Sequence, residues 1–143
     1  MNRRVVVVDT NVVVAGVLTS DQASPVARVL DGMLRAAFPF AVSQALLAEY
    51  RGVLMRPKIR KAHGLSPTEV EDVLVELARH AIVLAPASAQ QAPDPGDQFL
   101  WDLLAARADV VLITGDAALQ RDSMQGRAIS PRAYVESLER NQP

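Results

Sequence analysis

Residues 5–11 read VVVVDTN, a run of four valines that leads directly into Asp9. The run is β-branched and continuous, which is the pattern of a strand buried on both faces of a parallel sheet. An unpaired carboxylate in a protein interior costs several kcal/mol even after relaxation. Asp9 therefore needs water, a hydrogen-bonding turn or a cation at the end of this strand.

Strand and helix patterns alternate along the rest of the chain. Further strands are predicted at residues 40–42 (FAV), 81–84 (AIVL), 110–113 (VVLI) and, more weakly, 127–129 (RAI). Helices are predicted from Ser24 to about Ala37, from Ser43 to about Met55, from Ser66, from Phe99 to Ala108 and from Pro131. Such alternation indicates an α/β fold with right-handed crossovers and a mostly parallel sheet. We expect residues 1–143 to form one domain.

The composition excludes several classes of site and location. The 143 residues include no cysteine, which rules out disulfides, thiolate nucleophiles and cysteine-based metal centres. No window approaches about 20 uncharged apolar residues, and Asp9 interrupts the first apolar run too early for a signal peptide. We therefore expect a cytoplasmic protein that does not span a membrane. Half of the residues are hydrophobic, a surplus that could cover an interface with another chain.

Four acidic residues lie where a parallel α/β sheet places its ligands, outside the carboxyl ends of the strands. Asp9 and Asp116 follow the two strongest strands, Glu49 is expected on the apolar side of its helix, and Asp97 begins a helix. Each has a structural alternative, such as capping a helix or reaching out to water. Four acids in one pocket would repel each other without a cation, and oxygen ligands suit Mg²⁺ or Mn²⁺. Metal-assisted hydrolysis of a phosphodiester is the chemistry that such a site serves best.

A basic segment follows Glu49. There is no acidic residue between Glu49 and Glu69. The basic residues of this segment are Arg51, Arg56, Lys58, Arg60 and Lys61. The segment is either a solvated helix end or a surface that holds a phosphate backbone, with Arg51, Arg56 and Lys58 as candidate contacts.

The chain resembles the PIN domain family in the order and spacing of several segments. These are VVVVDTNVVVAGV, VSQALLAEYRGVLMRPK, DPGDQFLWDLLAARADVVLITGDAAL and ISPRAYVE. More narrowly, it is similar to the PIN toxins of bacterial toxin-antitoxin systems, relatives of the VapC-type ribonucleases. The resemblance implies a Rossmann-like α/β/α sandwich with a parallel sheet of about five strands. It also implies a homodimer and a cognate antitoxin, although some PIN nucleases act in RNA processing without one.

The resemblance also assigns roles to residues. The acidic quartet of the family falls on Asp9, Glu49, Asp97 and Asp116, which would surround one or two Mg²⁺ or Mn²⁺ ions and activate water to cut single-stranded RNA. Asn11 and Thr114 fall on polar positions that orient these carboxylates or the substrate. Asp94 and Asp102 flank Asp97, and either could share its role.

Three other functions remain open from the sequence. In a haloacid-dehalogenase-like phosphatase, Asp9 would be a covalent nucleophile, but that family needs an acid where this chain has Asn11. An amide cannot donate and recover a proton. A nucleotide-binding module would need a glycine-rich phosphate loop, and neither common form occurs. An inactive PIN scaffold is disfavoured because all four acids are present.

Overall fold

The computed structural model describes residues 4–89, 91–122 and 126–140. The elements are, in chain order, β1 (Val6–Val8), α1 (Thr10–Leu18), α2 (Pro25–Leu34), β2 (Ala41–Val42), α3 (Gln44–Leu54), α4 (Pro57–His63), α5 (Pro67–His80), β3 (Ile82–Val83), a 3₁₀ turn (Pro95–Asp97), α6 (Gln98–Ala105), β4 (Val111–Ile113), α7 (Ala117–Asp122), β5 (Ala128–Ile129) and α8 (Pro131–Arg140). None of the helices in the described ranges is long and apolar enough to cross a membrane.

All strand pairs in the described residues are parallel, which confirms the predicted α/β class. The strand order is β1-β4-β5 in one sheet, and β2 pairs with β3 in a second. A sheet of about five strands was expected, and this expectation is wrong in that the largest sheet has three. The five predicted strands all form, but a single bridge, between Val6 and Phe40, connects the two sheets.

The break between the two sheets has a local cause at the end of β1. Val6 donates its backbone N–H to the Pro39 carbonyl at 3.2 Å, so the backbone groups of Val6 and Val8 point to the β2 side. The Val8 carbonyl accepts a hydrogen bond from the Tyr50 hydroxyl at 2.5 Å. A side chain thus bonds the backbone where a longer β2 strand would have done so.

The helix α1 was not predicted, because its sequence has a strand-like pattern. Val12, Val13 and Val14 are consecutive, β-branched and buried. The Asp9 carbonyl nevertheless starts a helix by accepting hydrogen bonds from the backbone N–H groups of Val12 and Val13 at 3.0 and 3.4 Å. Burial against the core has therefore overridden a modest β propensity.

Two more short helices, α4 and α7, were also not predicted. The other helices lie close to their predicted positions. The predicted end of the fourth helix is wrong, since α6 ends at Ala105 and not at Ala108. Arg127 accounts for this end, because its guanidinium donates to the carbonyls of Leu104, Arg107 and Val110 at 3.0, 2.7 and 3.0 Å. These bonds satisfy backbone groups where the chain leaves α6 and enters β4.

Close packing of α1 against α2 fixes the helix that follows Asp9. A Cβ added at Gly16 would lie 2.9 Å from both the Leu30 Cβ and the Val26 carbonyl oxygen. Real Cβ contacts of this length are almost unknown, so α1 can approach α2 this closely only because residue 16 is glycine. The contact limits the freedom of α1 and therefore of its first turn, beside Asp9.

Candidate functional site at the ends of β1 and β4

The strands β1 and β4 end together, and the Asp9 carboxylate lies at their shared rim. Val8 is opposite Ile113, and the Asp9 backbone N–H donates to the Ile113 carbonyl at 2.9 Å. Asp9 is 8% exposed. Its Oδ2 accepts a hydrogen bond from the Thr114 hydroxyl at 2.7 Å. The first acid therefore sits in a largely buried position where a neighbouring strand holds its carboxylate.

Thr114 connects the two strand ends through its hydroxyl group. It is fully buried, and its Oγ1 both donates to Asp9 and accepts the Asp116 backbone N–H at 3.0 Å. The Thr114 carbonyl accepts a hydrogen bond from Gln120 Nε2 at 2.7 Å. Thr114 thus contacts two of the four predicted acidic residues and is itself held from α7.

Asp116 caps α7 with one of its carboxylate oxygens. Oδ1 accepts hydrogen bonds from the backbone N–H groups of Ala118 and Leu119 at 2.8 and 3.4 Å. Oδ2 accepts no hydrogen bond from the described residues. The capping alternative is therefore correct for Oδ1, and Oδ2 is available to a ligand.

Asp97 occupies a capping position without capping. It ends the 3₁₀ turn and precedes α6, but its side chain makes no capping hydrogen bond. The same holds for Asp9, which precedes α1 and makes no side-chain capping bond. Capping therefore does not account for these two carboxylates.

The two acids that flank Asp97 have structural partners. Asp94 Oδ1 accepts the Gly96 backbone N–H at 2.9 Å and so closes the 3₁₀ turn. Asp102 Oδ1 accepts the Ala89 backbone N–H at 3.3 Å and the Gln98 side-chain amide at 3.0 Å. Both residues shape the segment that carries Asp97, which makes Asp97 the better candidate for a ligand.

Glu49 is exposed, so the expectation that it lies on the apolar side of its helix is wrong. The buried residues of α3 are Leu46, Tyr50 and Leu54, spaced by one turn. Glu49 directly precedes Tyr50 and is rotated from that buried stripe by about 100°. Its carboxylate still reaches the electrostatic environment of Asp9, because its charge contributes to the pKa of Asp9.

The acids affect each other's ionisation. Burial raises the pKa of Asp9, the Thr114 hydroxyl and the Thr10 backbone amide oppose the rise, and the charges of Asp116 and Glu49 add to it. Burial also raises the pKa of Asp97, followed by the charges of Asp94, Asp9 and Asp116. No lysine or arginine of the described residues forms an ion pair with Asp9 or Asp97. The rim therefore carries negative charge that no described cation balances.

A divalent metal ion fits this rim in charge and in donor chemistry. The available ligands are carboxylate oxygens, which Mg²⁺ and Mn²⁺ prefer. Burial, together with the charges of neighbouring acids, raises the pKa of Asp9 and Asp97, and a nearby cation would oppose this rise. Within the part of the chain that the structure describes, no three His, Cys, Asp or Glu side chains stand close enough together to hold a metal as they are. The carboxylates would have to move towards each other around the ion.

Asn11 lies beside the loop after β4. Its side chain is exposed, and its Oδ1 is 3.9 Å from the position that a Cβ on Gly115 would occupy. Asn11 and Thr114 therefore both lie where the segments that carry Asp9 and Asp116 meet. Asn11 is exposed at this place, and Thr114 is buried.

A protein-family model described as "PIN domain" matches residues 5–118 of the 143. The chain belongs to the PIN domain family. PIN domains share a nuclease fold, and the matched range includes Asp9, Glu49, Asp97 and Asp116. No curated protein sequence matches this PIN domain.

The basic segment of this PIN domain is divided by the structure into engaged and unengaged cations. The guanidinium of Arg51 donates to both carboxylate oxygens of Glu71, at 2.5 and 3.2 Å. Arg56 and Lys58 are exposed and form no ion pair with any described residue. Next to them is an open cavity of about 400 Å³, lined by Pro57, Arg60, Lys61, Gly64 and Leu65.

Two residues that shape the site were missed from the sequence. Gln120 holds the Thr114 carbonyl, and nothing in its sequence position indicates this contact. Tyr50 bonds the Val8 carbonyl, next to Asp9, and the sequence does contain an indication of this contact. Tyr50 lies on the same helix face as Leu46 and Leu54, and a buried tyrosine hydroxyl usually finds a partner.

Proposed function

We propose that this PIN domain is a metal-dependent endoribonuclease that cleaves single-stranded RNA. The observation that carries the proposal is the Asp9 carboxylate at the joined ends of β1 and β4, which is 8% exposed, is held by the Thr114 hydroxyl and forms no ion pair with a described lysine or arginine. Burial raises the pKa of Asp9 and of Asp97, and the charges of neighbouring acids, among them Asp116, add to both shifts. Carboxylates with a raised pKa are common at functional sites, where a bound cation favours their ionised form.

The residues divide the work according to their positions. Asp9, Asp97, Asp116 and Glu49 would hold Mg²⁺ or Mn²⁺, and this ion would polarise the phosphodiester and lower the pKa of a bound water. Thr114 orients the Asp9 carboxylate through its hydroxyl. Asn11 is exposed at the same rim and presents an amide to the substrate.

The RNA strand would pass along α4 and the turn before it. Arg56 and Lys58 are exposed cations without ion pairs among the described residues, which favours contacts with backbone phosphates. Arg51 is a weaker candidate, because binding a phosphate would require its guanidinium to leave Glu71. The helix α4 contacts α1, which follows Asp9, and α3, which carries Glu49, and these contacts support a path that leads towards the acids.

We further propose that the protein is the toxin of a toxin-antitoxin pair and forms a homodimer. The resemblance to PIN toxins supports both statements. Exposed apolar side chains on α5 and β3 support an interface, since Val75, Ile82 and Val83 are 52%, 36% and 60% exposed. A PIN nuclease that processes RNA without an antitoxin is the alternative, and co-purification of a neighbouring gene product would decide between them.

The test is cleavage of a labelled single-stranded RNA in the presence of Mn²⁺, with and without a chelator. Wild-type protein should cut the RNA only when the metal is available. Asp9→Asn and Asp97→Asn should each lose cleavage, because each removes a charged oxygen ligand. Asp109→Asn is the matched control, because Asp109 is exposed and pairs with Arg107.

Other outcomes would support the rival functions. Hydrolysis of a small phosphomonoester with a phosphoaspartate at Asp9 would indicate a haloacid-dehalogenase-like phosphatase. Folded protein that binds RNA but cuts neither substrate, with any metal, would indicate an inactive scaffold. Cleavage that persists in a chelator or in Asp9→Asn would contradict the proposed mechanism.

A further inference from the structure

The phenol of Tyr50 is buried beneath the acidic rim and bonds the backbone next to Asp9. Tyr50 is 0% exposed, and its hydroxyl donates to the Val8 carbonyl at 2.5 Å. This contact spans 42 residues of sequence and joins α3 to the end of β1. Its position in the chain is specific, since Glu49 directly precedes Tyr50 and Asp9 directly follows Val8.

The Tyr50 hydroxyl acts as the donor in this contact, because a backbone carbonyl can only accept a hydrogen bond. A buried tyrosine hydroxyl that finds such a partner fixes the backbone to which it is bonded.

We propose that Tyr50 is a positioning residue, which sets the placement of Glu49 on α3 relative to Asp9 at the end of β1. The inference rests on the proposed function, in which these two carboxylates belong to one metal site. Asp9 has little freedom, because Thr114 and the β1–β4 pairing hold it. Glu49 is exposed, so its distance from Asp9 depends on how α3 is anchored.

The Tyr50 bond supplies this anchor at the position where the two sheets separate. The one bridge between β1 and β2 in the described residues is at Val6, so backbone pairing does not extend to Val8. Loss of the hydroxyl would leave α3 attached there by apolar packing alone, which resists sliding less than a directional hydrogen bond does. Residues that support metal ligands in this indirect way change metal affinity by about 10–100-fold when they are mutated.

The chain offers a matched pair of variants, because it has two tyrosines and both are buried. Tyr50→Phe removes the hydroxyl and keeps the ring. Tyr134→Phe is the control, since Tyr134 lies on α8 and its ring packs edge-on against Phe38. Both variants should keep the circular dichroism spectrum and the cooperative urea unfolding of the wild type.

Titration calorimetry with Mn²⁺ gives the first readout. Tyr50→Phe should raise the apparent Kd for Mn²⁺ by about tenfold or more, and Tyr134→Phe should leave it within about twofold of the wild type. With saturating Mn²⁺, the kcat for RNA cleavage should fall in Tyr50→Phe by a larger factor than KM rises, because the change acts on the spacing of the metal ligands while Arg56 and Lys58 keep their side chains. A folded Tyr50→Phe protein with wild-type Mn²⁺ affinity and kcat would overturn the inference.

A metal-free readout separates this inference from the proposed function. In ¹H–¹⁵N spectra recorded with a chelator, Tyr50→Phe should shift the amide signals of both Asp9 and Glu49, and Tyr134→Phe should shift neither. Shifts confined to α3, with Asp9 unmoved, would show that Tyr50 does not couple the two acids. If wild-type protein neither binds Mn²⁺ nor cuts RNA, the proposed function fails, while the spectra still decide whether Tyr50 links the two residues.

Discussion

The Thr114 hydroxyl gives the sharpest test of how the carboxylates are held. Thr114→Val replaces the hydroxyl by a methyl group of similar size, so that no cavity forms. The change removes the hydrogen bond to the Asp9 carboxylate at 2.7 Å and the acceptor of the Asp116 N–H at 3.0 Å. Thr114 is 0% exposed, so water cannot replace either bond without opening the site.

The magnitude follows from the two bonds. A hydrogen bond to a charged group contributes about 1.5–3 kcal/mol, and a neutral one contributes about 1 kcal/mol. We therefore expect the free energy of unfolding to fall by about 2.5–4 kcal/mol at neutral pH in a chelator. The loss should become smaller in acid, because a protonated Asp9 no longer makes a charge-assisted bond.

Urea unfolding followed by tryptophan fluorescence measures this loss, since Trp101 is the single tryptophan and is 5% exposed. The midpoint should shift while the slope with denaturant stays constant. Thr68→Val is the control, because Thr68 is exposed on α5 and its hydroxyl bonds no described residue. A loss below about 1 kcal/mol in Thr114→Val, or an equal loss in Thr68→Val, would show that the Thr114 hydroxyl does not hold the Asp9 carboxylate.

Three further predictions concern the charge of the rim, the end of α6 and the RNA path. The pKa of Asp9 is raised in the folded state, so its ionisation lowers the free energy of unfolding as the pH rises through that pKa. At neutral pH in a chelator, Asp9→Asn should therefore unfold at a higher urea concentration than the wild type, and Mn²⁺ should stabilise it less. Lower stability of the variant would contradict this prediction. Arg127→Gln should lower the free energy of unfolding by about 2 kcal/mol through its lost carbonyl bonds, while the exposed Arg132→Gln should change it little. The slope of log K for RNA binding against log salt concentration counts the phosphates that the protein contacts. If Arg56 and Lys58 each bind one phosphate, the double variant Arg56→Gln and Lys58→Gln should reduce the magnitude of this slope by about 1.4. An unchanged slope would place the RNA elsewhere.

The parallel α/β fold could be predicted because the buried strands appear in the sequence as continuous runs of β-branched and aliphatic residues. VVVVD and VVLITGD share one pattern of a buried strand followed by an acid, and the strands pair in register as neighbours. The helix α1 could not be predicted in this way. Val12, Val13 and Val14 fit a strand as well as a buried helix, and only packing against α2 decides between the two.

At the site, the acidic residues could be chosen from the sequence, but their burial and their hydrogen-bond partners could not. The pKa values of Asp9 and Asp97 are both raised, first by burial and then by the charges of neighbouring acids, and burial of a side chain is set by the tertiary structure. The exposure of Glu49 was not predicted, because apolar residues three or four positions away do not define which side of a helix faces the core. Tyr50 bonds a backbone carbonyl 42 residues away in sequence, and such a contact depends on tertiary structure. Gln120 bonds a carbonyl only 6 residues before it, but this contact depends on how the chain turns from β4 into α7.

Binding of a divalent metal by the carboxylates at the ends of β1 and β4 can be observed in crystals soaked in Mn²⁺ and measured at the manganese absorption edge. We expect an anomalous peak among Asp9, Asp97 and Asp116, with Glu49 bound directly or through water, and no peak in Asp9→Asn. If saturating Mn²⁺ leaves this rim empty, or binds only at another part of the surface, these carboxylates are not a metal site.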